Sequence, residues 1–363
     1  MNKRLLLLLL SIGIIDLFGQ SPVSYQLEVE KGFVLLHSQD IAPIGEAYPT
    51  AVGLSVQKWL LAEKHWNSCH CYPRLGLSIA AHDFDNREVI GWGFPVYGFI
   101  EPWYKMSDRL YLSIRASAGL IYLTKPYDEI ENPLNLSYSL PVQAFLVLGG
   151  GLAYELNNHW RIGMQARFDH TSNGGLREPN KGINYPTLSF SADYSLKPIN
   201  LQALKKKQYN PLQKKRALRI NGFLAGKAGA KVGEGAFEQE VTYLVSGLSL
   251  YYSHQFLRTS AFLVGTEWIN NLAFKRQIER QGLNQDHNQL GFILGHEFLL
   301  GKFTFSQAAG FYLYKDYGAE ANWYQRYSLL YRPIPGLAIG PGLKAHANVA
   351  EFVDFSLVWD IQL

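Results

Sequence analysis

Cysteine is nearly absent. The 363 residues hold two, Cys69 and Cys71, both within the segment HWNSCHCYP. A Cys-x-Cys pair crowds its own ligands and no second cluster completes a tetrahedral set, so no metal is expected there despite His65 and His70 nearby. The segment reads as a structural turn, with a disulfide as an option in an oxidising compartment. Charge is also scarce, at 18% of residues, and a net charge of +4 over this length gives no argument for nucleic acid as a partner. Long apolar runs are missing after the first residues. No later stretch reaches the roughly 18 residues that a membrane-spanning helix needs, which excludes an α-helical membrane protein.

What the chain does hold is aromatic. It carries 22 Tyr, 20 Phe and 8 Trp, 14% of all residues. That composition suits an outer-membrane barrel, which places aromatic girdles at both interfaces and apolar residues at alternate positions between them. The start of the chain agrees. Lys3 and Arg4 precede the apolar run Leu5–Ile15, and Leu17-Phe18-Gly19 is an acceptable cleavage site, so residues 1–19 read as an export signal. No lipobox-like Cys follows it.

Strand-like alternation then recurs at about 24–37, 48–61, 73–84, 88–105, 110–123, 141–156, 160–172 and 183–196. In the last of these Leu188, Phe190, Ala192, Tyr194 and Leu196 alternate with Thr187, Ser189, Ser191, Asp193 and Ser195. Small polar residues on one face and apolar ones on the other match a barrel with lipid outside. Tight links at Met106–Asp108 and Asn157–His159 alternate with long polar ones, as periplasmic turns alternate with extracellular loops. The 172–183 loop therefore lies outside and the N-terminus in the periplasm.

The pattern lapses over 198–216, which holds Lys205-Lys206-Lys207 and Lys214-Lys215-Arg216. This reads as a periplasmic linker, or alternatively as a basic patch touching anionic headgroups. Alternation resumes at about 217–228, 239–254, 256–271, 286–300, 302–315, 321–333, 335–348 and 350–363. The expected fold is all-β: two eight-stranded antiparallel repeats over 20–197 and 217–363, as two tandem barrels or one sixteen-stranded barrel. The length of the linker favours two. The C-terminal strand, with Phe355, Leu357, Trp359 and Ile361 outward, is what barrel-assembly machinery would dock, although it ends in Leu363 rather than the more usual Phe. FSLVWDIQL at the C-terminus echoes FSADYSLKP at 190–198, which points to an internal duplication. In the second copy His346 and Asn348 point inward and no Ser follows His346 by two, so that copy lacks the chemistry considered next.

On the strand from Trp160, the apolar face Trp160, Ile162, Met164, Ala166 and Phe168 continues into His170 and Ser172. From Trp160 to His170 the strand climbs about 25 Å, at about 3.3 Å per residue and a tilt of roughly 40°. That is the height of the apolar band, so Trp160 lies in the inner girdle and His170 and Ser172 at the outer interface, facing lipid. A histidine beside a serine is the usual pairing for a nucleophile and its base. The loop that follows supplies Asn173, Asn180 and Asn184, with glycines that let backbone N–H groups turn toward an oxyanion.

His170-x-Ser172-Asn173 followed by Pro179-Asn180-x-Gly182-Ile183 resembles the outer-membrane lipid A 3-O-deacylases. The resemblance covers about 24–198 and is densest over 168–196. It implies an eight-stranded barrel that hydrolyses an acyl ester of lipid A, with His170 as base, Ser172 as nucleophile and Asn173 in the oxyanion hole. Asn180 is the second oxyanion candidate. No cofactor is implied. The partner is lipid A, or lipopolysaccharide, in the outer leaflet of a bacterial outer membrane. The family's acidic triad member falls fourteen residues after the histidine, where this chain has Asn184. Glu178, in the same loop, is a possible substitute acid, while Asp169 points inward. The rival reading is a non-enzymatic porin or a structural or binding barrel.

Overall fold

The computed structural model describes residues 21–201, 214–228, 241–347 and 349–363. The expected export signal, most of the linker and Asn348 lie outside the described residues. The first unit comprises β1 (Val23–Gly32), β2 (Thr50–Trp59), β3 (Tyr72–Asp83), β4 (Trp92–Lys105), β5 (Leu110–Leu123), β6 (Val142–Glu155), β7 (Trp160–Ser172) and β8 (Ile183–Ser195). Each strand pairs antiparallel with the next, and β1 closes onto β8 from Ser24↔Ser195 to Gly32↔Thr187.

The second unit comprises β9 (Arg216–Ala228), β10 (Thr242–Leu257), β11 (Ser260–Asn271), β12 (Asn288–Leu300), β13 (Phe303–Lys315), β14 (Trp323–Ile334), β15 (Leu337–His346) and β16 (Val349–Gln362), and β16 closes onto β9. The two open alternatives are thereby resolved. The chain forms two closed eight-stranded barrels, not one of sixteen strands.

Burial is inverted relative to a soluble sheet. On β1, Tyr25, Leu27 and Val29 are 43–50% exposed while Glu28 and Glu30 are 3% exposed. Apolar side chains face outward because lipid is their medium, and polar ones fill the interior. Those interior groups are paired, as buried charges must be. Glu101 receives Arg74 at 2.9 Å and Arg115 at 2.7 Å, while Arg167 Nη2 reaches Asp169 at 2.7 Å. The inner end is sealed by Trp59, Tyr72, Trp103 and Tyr111, with the Arg74 guanidinium 4.5 Å from the centre of the Trp103 ring. The outer mouth is plugged by Val34, Ile41, Ile44, Phe84, Ile90 and Tyr185. In the second barrel a cavity of about 40 Å³ lies among Arg219, Tyr251, Glu297 and Arg326. Such a void holds a water or two, not a channel. Reconstituted into planar bilayers, the protein is expected to pass no steady porin-scale current. A large sustained conductance would contradict the filled interiors.

Three departures from the sequence expectation have physical causes. The expected strand 24–37 stops at Gly32, because Val34 turns in to plug the mouth and its N–H bonds to Ala47 O at 2.9 Å. Exposed Phe33 and Leu35 around buried Val34 mimic a strand's alternation. The long link after β2 is built on a helix, α1 (Glu63–Cys69), followed by the Cys69–Cys71 disulfide. Outside β11 and β12, α2 (Leu272–Gln281) was not anticipated; Asn271 caps it by accepting the Phe274 N–H, and Gly282 ends it in the left-handed conformation. His346 does lie inward, with Nε2 3.0 Å from Tyr312 Oη and Nδ1 3.5 Å from Glu351.

Candidate active site

The site is set by the β7–β8 register. His170 pairs directly opposite Asn184, and Leu146↔His170 and Ala144↔Ser172 fix the other side of β7. Side chains of directly opposed residues share one face and lie within contact distance. On that outward face His170 Nδ1 is 2.6 Å from Asn184 Oδ1, and His170 Nε2 is 3.0 Å from Ser172 Oγ. An Nδ1–H donated to the amide oxygen leaves Nε2 as the acceptor for the Ser172 hydroxyl. Ser172 itself is buried at 6% exposure, because the loops fold over it.

Gly182 makes this fit possible. Its φ is +72°, and a Cβ there would stand 3.3 Å from His170 Cε1 and 3.0 Å from Thr171 O. Only glycine takes that backbone and that proximity without displacing the ring.

A residue the sequence reading missed completes the line. His37 Nδ1 lies 3.2 Å from Asn184 Nδ2, and its Nε2 lies 2.8 Å from Lys181 O. Nδ1 also lies 3.2 Å from Leu35 O; in the tautomer that donates Nε2–H to the nearer Lys181 carbonyl, Nδ1 accepts the Asn184 amide N–H. The amide oxygen must then face His170. His37 sits on the loop after β1, remote in sequence, and its apparent place in an alternating strand concealed it. Asp40 on the same loop bridges to Lys181 Nζ at 2.8 Å. The hydrogen bond from Lys181, reinforced by its charge, holds the Asp40 carboxyl below the usual carboxylate range. A depressed pKa means the bridge is present above that range and lost only as pH falls beneath it.

The loop residues are tied to one another. Asn173 Oδ1 accepts the N–H groups of Gly175 and Leu176 at 3.0 and 3.1 Å, and its Nδ2 donates to Arg177 O at 2.6 Å. Its backbone N–H donates to Asn180 Oδ1 at 2.9 Å. The Asn173 side chain therefore builds the turn after Ser172. Asn180, held by its oxygen, has its NH2 end left to donate. The Glu178 carboxylate, the possible substitute acid, accepts the Asn180 N–H at 2.9 Å, while Asn184 Oδ1 lies against His170 Nδ1.

Residues 50–193 match the family model described as lipid A 3-O-deacylase (PagL), and residues 218–363 match that of the acyloxyacyl hydrolase C-terminal domain. No curated protein sequence matches the chain. A crystal structure of the outer membrane enzyme PagL is similar over 46% of this chain and 97% of that one, at 16% identity and a TM-score of 0.33. A mutant Rhodopseudomonas blastica porin aligns over 93% of this chain and 100% of that one, at 7% identity and a TM-score of 0.21. The two family matches divide at the same place as the two barrels, and the first spans the wall that carries His170, Ser172 and Asn184. The chain belongs to the lipid A 3-O-deacylase (PagL) family, with a first barrel of the deacylase type followed by an acyloxyacyl hydrolase C-terminal domain.

Proposed function

We propose that the protein sits in a bacterial outer membrane, delivered by its N-terminal export signal and barrel-assembly machinery, and there removes a fatty-acyl chain from lipid A by serine catalysis. The observation that carries this reading is the hydrogen-bonded line from Ser172 Oγ through His170 to Asn184 at the outer end of the apolar wall. Lipid A in the outer leaflet presents its acyl esters at that height, against β7 and β8.

His170 Nε2 takes the Ser172 proton as Oγ bonds to the ester carbonyl carbon. The resulting oxyanion is held by the Asn180 NH2 group, with Asn173 positioning it. Collapse breaks the ester C–O bond, and the imidazolium gives its proton to the departing sugar oxygen, which leaves as a hydroxyl. His170 then takes a proton from water as its oxygen bonds to the acyl carbon, the C–Oγ bond breaks, and the imidazolium returns that proton to Ser172 Oγ as the fatty acid leaves. Asn184 fixes the imidazole tautomer through its amide oxygen but adds no negative charge beside the imidazolium.

The test is mass spectrometry of lipid A from a Gram-negative host expressing the protein. Loss of one ester-linked acyl chain is the expected result. An unchanged lipid A pattern, with the folded protein present in the outer membrane, would overturn the reading.

A further inference from the structure

The second barrel's backbone ladder is not closed at its outer rim by its own strands. The β9–β16 ladder ends at Ala225↔Asp354, although β9 continues to Ala228 and β16 begins at Val349. Above that last pair, Gly226–Ala228 pair only with β10 and Val349–Val353 with β15. Lys227 on β9 reaches Glu351 on β16 across the seam at 3.2 Å, and the seam's free backbone N–H groups are met by the first barrel. Val353 N–H donates to Gly174 O at 3.2 Å, Ala228 N–H donates to Gly175 O at 2.9 Å, and Thr242 Oγ1 donates to Leu176 O at 3.3 Å. Both glycines are buried, with φ of +67° and +82°, and a Cβ on Gly174 would stand 2.5 Å from Val353 Cγ2.

That same turn starts one residue after Ser172. Asn173 binds Gly175 and Leu176 through its side chain and directs Asn180 through its backbone N–H. One short segment is thus tied at one end to the nucleophile and at the other to the second barrel. We infer that the second barrel is a positioning element for the first barrel's site: by gripping Gly174–Leu176 in its open seam it holds the Asn173–Asn180 pair in register with Ser172. This rests on the deacylase reading above. It also gives a task to a domain in which, among the described residues, no serine hydroxyl is hydrogen-bonded to a histidine as Ser172 is to His170.

The test uses the full chain with Ala228→Pro and Val353→Pro. In a strand the N–H and C=O of one residue point to the same side. Because these two N–H groups go to the loop, proline there removes the grip and spares the β9–β10 and β15–β16 ladders. With folding checked by heat-modifiable gel migration, kcat on lipid A in detergent micelles is expected to fall about tenfold to a hundredfold, the scale of a small misplacement of catalytic groups. KM should stay within a factor of about three. Fluorophosphonate labelling of Ser172 should slow in parallel, and the Gly175 and Leu176 amides should exchange at least about tenfold faster with deuterium. If either variant loses its fold, Thr242→Val with Leu176→Ala loosens the same grip without touching strand backbone. Folded variants with wild-type kcat and wild-type exchange would overturn the inference. A wild type that leaves lipid A intact sinks the deacylase reading instead, and the exchange data still decide whether the second barrel grips the loop.

Discussion

Ser172→Ala should reduce lipid A deacylation by at least about a thousandfold without loss of the folded barrel, because nucleophile and base act as one unit. His170→Asn should fall as far, and the double variant hardly further, for the same reason. Ser172 is at the last position of β7 and its side chain takes no part in the interior network, so its removal leaves the ion pairs around Glu101 and Arg167 intact. Both variants should therefore retain heat-modifiable migration. Purified protein, assayed on lipid A in detergent with acyl release followed by chromatography, gives the rates. A Ser172→Ala protein with more than a tenth of wild-type activity would remove serine as the nucleophile.

The second large effect concerns His37. An amide offers one oxygen and one NH2, and only the oxygen serves His170 Nδ1–H. The wrong tautomer of a catalytic histidine can cost as much as about ten-thousandfold. His37 selects the correct face by accepting Asn184 Nδ2, so His37→Phe should lower kcat about tenfold to a hundredfold with little change in KM. Asn184→Asp has the same size and two acceptor oxygens, leaving no wrong face to present. It should raise kcat on its own, since a carboxylate stabilises the imidazolium. In that background His37→Phe should matter by less than about threefold, the non-additivity that a shared interaction produces. Equal losses in both backgrounds would mean that His37 merely supports the loop.

Much of this molecule was legible in the sequence, and for a definable reason. β7 and β8 announce themselves because a strand bathed in lipid on one side must alternate strictly from Trp160 to Phe168 and from Leu188 to Tyr194. The His170–Ser172 pair was readable as an interruption of that alternation. What was hidden depends on contacts between segments far apart in the chain. His37 arrives from the loop after β1. The commitments of Asn173 follow from a turn that the second barrel helps to shape. Glu178 shares the right loop but bonds back to Asn180, which no residue count reveals. Whether sixteen strands close once or twice depends on β8 finding β1 and β16 finding β9, pairings that carry no local signature. α2 escaped because its helical period lies between two strands read at period two.

The lipid-facing position proposed for His170 and Ser172 has a kinetic consequence. An enzyme whose nucleophile faces the bilayer meets its substrate as a neighbour in a two-dimensional fluid. Encounter is then governed by the mole fraction of substrate in the leaflet and by lateral diffusion, not by bulk concentration. Turnover in mixed micelles should follow surface dilution with inert detergent at constant total lipid A. For such a catalyst tight binding has little value, since the substrate is also the solvent.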